Sequence, residues 1–470
     1  MQGPWIAVHI TSGSYTDTPT WHAWIQEVSE EEIKVWLREQ KSIIDFSFAG
    51  VKKPKDTLPL RAAANARIAS AFGLTNSLTT STPSVHRLFF RKVALHINRP
   101  DRSWKALFQI ATATLTAELR RDTGWPLRIA EAARITSLSV VLYDNFDIAE
   151  PIPRDILRKI TDEINDQWIV TKYSDSPPQS PRMLNLHLAD CNLSHRFTNR
   201  TITDPDESGE ILSIIMPQYE TLWRVVLATY LLAFHIYPSP TLAARISSVP
   251  ACLGSNSGEE KEALKLAKEG LRLTPSNKRI YRHTPGPLPT QIKADLELMH
   301  RHPSIWGPTA LEFNPSRFDN LTPLQQEAYL PFSSRPHRCP AFSGFGDRMV
   351  TCLVVAMGRV LDTAPEKGRI HPINEQSDGP QQLPKTIDTG REGMESWLYI
   401  QSGREYKEWE ERQEARRNYK LPWMKRKENS ETGSRQVVMG RRRRVISGKR
   451  SDGMDSVIAA QWRIGGGSIE

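Results

Sequence analysis

Cysteine is scarce in this sequence: Cys191, Cys252, Cys339 and Cys352 are the four in 470 residues, with no CxxC pair and no short spacing. That pattern excludes a disulfide scaffold and a zinc-ribbon site and is ordinary for a reducing compartment. No charge-free apolar run has the length of a membrane span. The most apolar stretch, 211–236, carries Glu220 and Arg224 near its middle, where charge in hydrocarbon is costly, so a long helix through a protein core is the better reading. The first ten residues hold no basic region followed by a long apolar one, so neither a secretory signal nor an N-terminal anchor is visible. Internal repeats are absent. Net charge is also nearly missing from most of the chain: of the overall +9, residues 401–470 supply +7, with 17 Lys and Arg against 10 Asp and Glu. The body is close to neutral, and nucleic acid is not expected as its partner.

What is present is core material, 39% hydrophobic with 24% charged, which fits a globular chain. Helical periodicity dominates its first two thirds. Amphipathic or Ala-rich segments at 30–44 and 60–72 predict helices. So do Trp104, Leu107, Phe108, Ala111, Leu115 and Leu119, then Leu127 to Leu142, then Ile156 to Trp168 opened by Pro151 and Pro153. The 211–236 stretch and Gly258 to Leu273 extend the pattern. Ten prolines between Pro285 and Pro340 forbid long helices there. Helical spacing returns from Ala341 to Leu361, and 369–400 reads as short strands and loops. The Glu/Lys/Arg-rich residues 401–470, with Arg441 to Arg444, read as a disordered tail.

One cysteine has chemical surroundings. Cys339 lies in Pro331-Phe332-Ser333-Ser334-Arg335-Pro336-His337-Arg338-Cys339-Pro340-Ala341, just before a predicted helix. Unpaired N–H groups at a helix start, together with positive charge on His337 and Arg338, favour a thiolate. The bland alternative is a small buried apolar side chain. Upstream, Glu269 and Arg272 stand three apart on one helical face, and Arg317 in Phe313-Asn314-Pro315-Ser316-Arg317-Phe318 can extend that pair, its planar fork being suited to carboxylates.

The order of these elements resembles the cytochrome P450 family, particularly its fungal branch. It runs Glu220-Thr221 on a long apolar helix, Glu269-x-x-Arg272, Trp306-Gly307-Pro308, Pro-x-Arg317-Phe, and Phe332 seven residues before Cys339-Pro340-Ala341, with 70 residues from Glu269 to Cys339. The resemblance covers about 84–400 and is strongest over 209–361. It implies one large, mainly α domain with a small β component, built around a long central helix. The corresponding division is an N-terminal segment 1–83, a haem-thiolate catalytic domain 84–400 and the tail 401–470.

Residue by residue, the resemblance makes Cys339 the axial thiolate of a haem b iron, in a loop that Phe332 opens. Glu269, Arg272 and Arg317 become a structural triad. Glu220 and Thr221 match the acid–alcohol pair that relays protons, although Glu220 pairing with Arg224 one turn on is the competing reading. Arg279, from a basic strand that also holds Arg282, and Arg91, Arg338 and His337 become candidate partners of the haem propionates. The loop 73–83 corresponds to a substrate-contacting segment. The implied activity is monooxygenation of an apolar small molecule with O2, in secondary metabolism, using electrons from NADPH through a separate reductase. Arg335, Arg338 and Arg348 would present a positive face to an acidic reductase. The implied location is the cytoplasmic side of the endoplasmic reticulum membrane surface.

Four departures from the family pattern stand out. Arg335 replaces the usual Gly, and Pro336 restricts it, so the loop must turn differently. His337 replaces an Arg, Ala341 replaces a Gly, and Pro217-Gln218 replaces the small residues of the central helix, with a kink expected at Pro217. The chain before Glu220 is shorter than usual, as if an anchor and part of the first sheet were missing. Two other readings follow from these departures: a haem-binding isomerase or dehydratase, and a non-catalytic member acting through its basic tail.

Overall fold

The computed structural model describes residues 29–120, 126–148, 150–173, 182–191, 193–195, 200–202, 208–239, 249–362, 369–372, 387, 390–400 and 411. Two units are distinguished, Met1–Glu410 and Glu411–Glu470, and of the second only Glu411 is described. The expected disordered tail, Arg441 to Arg444 included, therefore lies outside the described residues apart from Glu411.

Helix α1, Glu30–Asp45, begins where Ser29 and Glu32 form a reciprocal capping box, and it buries Ile33, Leu37 and Ile44. The Ala-rich stretch is two helices, α2 (Pro54–Ala64) and α3 (Ala66–Phe72), broken at Asn65 and stopped by Gly73 at φ 60°. Then come α4 (Pro83–Ile97), α5 (Trp104–Leu119, capped by Ser103), α6 (Ile129–Asn145) and α7 (Arg154–Tyr173). Helix α8 (Arg182–Ala189) leads to the central helix α9, Ser208–Leu231, which continues into a π-helical turn, Leu232–Ile236. A short α10 (Val249–Cys252) precedes α11 (Gly258–Leu273).

The α-helices of the proline-rich region are α12 (Leu296–Arg301), α13 (Pro303–Trp306) and α14 (Pro323–Ala328), each of six residues or fewer, with a 3-10 turn at Pro315–Asp319. Helix α15, Phe345–Leu361, is buried along most of its length, and α16 is Arg391–Glu395. The chain is mostly helical, with three small sheets among the described residues. Strands β1 (Leu127–Arg128), β8 (Trp397–Ile400) and β7 (Arg369–Pro372) form the first, and β2 (Phe146–Asp147), β3 (Leu193–His195) and β4 (Arg200–Ile202) the second. The third is the hairpin β5 (Arg279–His283) with β6 (Gln291–Asp295), in register Arg279↔Asp295 to His283↔Gln291.

The main core gathers around α9, which packs on α6, α11 and α15 and fully buries Ile211, Ile215, Trp223 and Tyr230 among others. A second cluster joins Ile33, Leu37 and Ile44 of α1 to Ile280 and Ala294 of the hairpin and to Met299 and Trp306 beyond it. No helix among the described residues is long and apolar enough to cross a membrane. Pro217 lies within α9, which continues through it. Because proline has no N–H, the Ser213 carbonyl one turn back loses its helical donor; Asn76 Nδ2 replaces it at 3.0 Å, and Thr75 N donates to Ser213 Oγ at 3.0 Å. The loop 73–83 is thereby hooked to the centre of the longest helix.

Candidate functional site

The loop before Cys339 is a tight hairpin closed by Cys339 N–H donating to the Phe332 carbonyl at 2.9 Å. With Arg335 in place of glycine, the left-handed position moves to Ser333, at φ 63°, and the Arg335–Pro336 bond is cis. Phe332 packs onto Gly346 so closely that a Cβ there would stand 2.7 Å from its ring. Cys339 heads a 3-10 turn, Pro340–Ser343, and α15 begins only at Phe345, after Gly344 at φ 97°. The helix expected from Ala341 thus starts four residues later.

Cys339 keeps accessible surface, yet it is set deep among protein atoms. Burial pushes its thiol above the ordinary value; the Ala341 N–H and the charge of Arg61 pull the other way without prevailing. The expected positive charge on His337 is absent. That ring is buried, its Nε2 is 2.8 Å from Thr57 Oγ1, and burial together with Arg61, His86 and Arg282 lowers its pKa to about 3. Arg338 lies over the Phe342 ring at 4.8 Å.

Around His337 the fold assembles a set of hydrogen-bond donors. Arg61 on α2 is buried and donates to the Ser77 carbonyl at 3.1 Å and to Ser77 Oγ at 3.4 Å. Ser77 Oγ is also 2.7 Å from His86 Nδ1, which ties that ring to the same hydroxyl. Arg282 is buried over the Phe46 ring at 4.5 Å and meets backbone carbonyls of Tyr281 and Ile44 at 2.8 and 3.4 Å. Burial lowers Arg61 to about 10 and Arg282 to about 9, the latter also pressed by Arg61. Arg282 Nε and His337 Nδ1 are buried without a partner. Neither guanidinium has a carboxylate partner among the described residues.

Two buried cations with no carboxylate partner among the described residues, beside two buried imidazoles, suit an anionic ligand. A haem fits this donor set: Arg61, Arg282, His86 and His337 would hold its two propionates, and Cys339 its iron. Two of the expected propionate partners are placed elsewhere. Arg279 pairs with Asp295 across the hairpin at 3.1 Å, and Arg91 is exposed on α4. The strand period explains the exchange: Ile280 and Arg282 share the inner face of β5, so Arg279 faces the other way. That alternation was the available signal for Arg282. Arg61 had none beyond its helical spacing from Thr57 and Leu58.

Glu269 and Arg272 are fully buried and joined two-pronged, Nε to Oε2 at 2.7 Å and Nη2 to Oε1 at 2.8 Å. Arg317 Nε is 3.6 Å from Glu269 Oε1, and the Asn314 N–H donates to the same oxygen at 3.0 Å. Arg272 also donates to the carbonyls of His300 and Ala310 at 2.7 Å each and stacks over Trp306 at 4.9 Å.

On α9, Glu220 and Thr221 face different neighbours, as consecutive helical residues must. Thr221 Oγ1 donates to Pro217 O at 2.9 Å or Gln218 O at 3.2 Å. Gln218 exchanges two 3.1 Å amide bonds with Asn145 of α6. Glu220 is buried, with Arg224 Nε 3.5 Å from Oε1, and the same oxygen is held by Arg391 of α16. Sequence reasoning missed Arg391, which no periodic pattern marks. Of the expected positive face, Arg348 is neutralised by Glu260 at 2.7 Å and also donates to Asn256 Oδ1 at 2.7 Å.

A family profile described as Cytochrome P450 matches residues 287–352, which include the Cys339 loop and the first half of α15. A putative cytochrome P450 CYP13A1 of Caenorhabditis elegans is 28% identical over 167 residues, 32% of this chain and 32% of that protein. A probable cytochrome P450 313a1 of Drosophila melanogaster is 27% identical over 203 residues, 39% of this chain and 40% of the other. Benzoate 4-monooxygenase bphA of Aspergillus niger is 49% identical over 43 residues, 9% of this chain and 8% of that one. The chain spans two fifths or less of the length of these relatives.

Proposed function

Given that the chain belongs to the cytochrome P450 family, we propose that it is a haem-thiolate monooxygenase that inserts one oxygen atom of O2 into an apolar small-molecule substrate. The catalytic domain would be 84–400, flanked by the segment 1–83 and the tail 401–470. The observation that carries this reading is the coincidence of Cys339, at the head of its 3-10 turn, with two buried arginines that lack carboxylate partners among the described residues. Bound haem would supply oxygen activation. The chain's own part is to hold its carboxylates with Arg61, Arg282, His86 and His337, to present Cys339 Sγ, and to handle protons at Glu220 and Thr221.

Electrons would come from NADPH through a separate reductase with an acidic docking face. Support lies on α4 and the Cys339 turn, which contact each other. Val85, Leu88 and Leu95 are exposed among Arg87, Arg91 and Lys92, and half-exposed Phe342 lies under Arg338 near exposed Arg335. Arg348, tied to Glu260, adds no free charge to that face. Location at the cytoplasmic side of the endoplasmic reticulum surface and a role in fungal secondary metabolism belong to the same reading.

The test is the spectrum of the reduced, CO-bound protein with haem supplied. The red-shifted thiolate band is expected, and Cys339→Ala abolishes it; a wild type without the band overturns the reading. A second reading, a haem-binding isomerase or dehydratase, is favoured by one observation: Thr221 and Glu220 are both engaged, by helix carbonyls and by arginines. Oxygen consumption coupled to product discriminates the two.

A further inference from the structure

Glu220 is among the most enclosed carboxylates of the molecule, and its two oxygens are treated differently. Oε1 takes both arginines, while Oε2 is buried with no partner. Arg391 is itself held from several sides: its Nη1 donates to Asn165 Oδ1 on α7 at 3.0 Å, and its guanidinium lies over the Trp168 ring at 5.0 Å. Arg224, the other cation, is fastened to the Ser276 carbonyl at 2.9 Å. A buried carboxylate oxygen with no donor is an unfilled acceptor, which native interiors rarely leave without a water or hydroxyl partner.

We infer that Arg391 is a positioning residue for Glu220: it fixes Oε1 and so presents Oε2 as the one oxygen through which a proton passes at the middle of α9. This rests on the monooxygenase reading, which needs protons delivered beside Thr221. The transfer balances by itself. An O–H bond forms at Oε2 as that of a water or hydroxyl donor breaks, and the carboxylate returns when the proton moves to the next acceptor.

The charged and titratable groups that face this carboxylate come from four helices. From α9 they are Arg224, with Tyr219 alongside, whose hydroxyl burial pushes far above its ordinary range. Arg134 of α6, paired with Asp162 and Glu395, and Asp162 of α7 act on the same region, as does Arg391 of α16. Burial lowers Arg224, the charge of Glu220 pulls the other way, and the charge of Arg391 adds to the lowering. Removing Arg391 removes the charge that joins Glu220 to α7 and α16.

The experiment is an infrared pH-difference titration of the purified full chain, following the carbonyl stretch of a protonated carboxyl that Glu220→Gln identifies by its loss. Arg391→Gln is expected to move the midpoint of that band upward by about one pH unit or more, a tenfold gain in proton affinity. Arg391→Lys, which keeps the charge, brings it back most of the way. An Arg391→Gln midpoint equal to wild type overturns the inference. Should that variant not fold, Asn165→Leu, which removes the hydrogen bond that orients Arg391 Nη1 while leaving its contact with Trp168, must shift the same band in the same direction. In haem-loaded protein, product formed per reductant consumed gains a new pH dependence in Arg391→Gln only. Loss of the thiolate band in wild type would sink the monooxygenase reading. An unmoved infrared midpoint with that band intact would sink the role of Arg391 alone.

Discussion

Two buried arginine clusters in this molecule have opposite internal economies. Around Glu269, every strong donor of Arg272 finds an acceptor within the chain, and Arg317 shares the same carboxylate. Around Cys339, Arg61 and Arg282 are buried too, yet they meet carbonyls, a hydroxyl and a ring, and no carboxylate among the described residues. The first cluster is complete as it stands and holds α11 to the proline-rich region. The second has no carboxylate among the described residues, which fits the proposed binding of an anion. On that proposal, buried charge serves architecture where its partner is part of the chain and binding where the partner arrives from outside.

The sharpest way to break that contrast is Glu269→Ala. It leaves two enclosed guanidiniums unpaired and is expected to cost about 3–5 kcal/mol, read by denaturant unfolding or by loss of folded yield. The next effect is a pH dependence centred on His300. Its Nε2 accepts the Leu330 N–H at 3.0 Å, so the ring is neutral, and burial beside Arg272 lowers its pKa to about 3. The unfolded chain takes up a proton below its ordinary 6.5 while the folded protein does not. Stability is therefore fully present above pH 6.5 and falls, by about 1.4 kcal/mol per pH unit at the steepest, as pH drops from 6.5 toward 3. His300→Gln should flatten that limb in unfolding curves taken between pH 6.5 and 4.

In the second cluster the same kind of substitution has the opposite sense. Arg282→Met should leave haem-free stability within about 1 kcal/mol of wild type, since an uncompensated charge is removed, yet haem loss to an acceptor protein should accelerate about tenfold. Equal destabilisation by Glu269→Ala and Arg282→Met would erase the distinction between the clusters. Smallest of all, Thr57→Val removes the 2.8 Å hydrogen bond to His337 and should cost about 1 kcal/mol in thermal unfolding.

Much of this was legible in the sequence where the pattern is local. The helix over 30–45, the central helix and α11 follow from apolar spacing and caps, and the proline run correctly forbade long helices. Glu269 and Arg272 meet because i, i+3 spacing places them on one face. What depends on chain segments far apart was not legible. Arg391 reaches Glu220 across 171 residues and Thr57 reaches His337 across 280, and neither leaves a periodic trace. The misplaced start of α15 has a local cause: helical spacing of apolar residues does not reveal that Gly344 adopts a positive φ and separates a 3-10 turn from the helix.

The hook between Asn76 and the Ser213 carbonyl has a meaning for anyone redesigning this chain. Pro217 vacates an acceptor on α9, and the loop 73–83 is registered on that acceptor by a single amide. Loop and helix are thus a matched pair written 141 positions apart. A graft of this loop from a relative transfers only half of the fastening unless position 217 travels with it. Conversely, Pro217→Ala gives the Ser213 carbonyl a helical donor that competes with Asn76, and leaves the Thr75 N–H bond to Ser213 Oγ as the remaining tie between loop and helix.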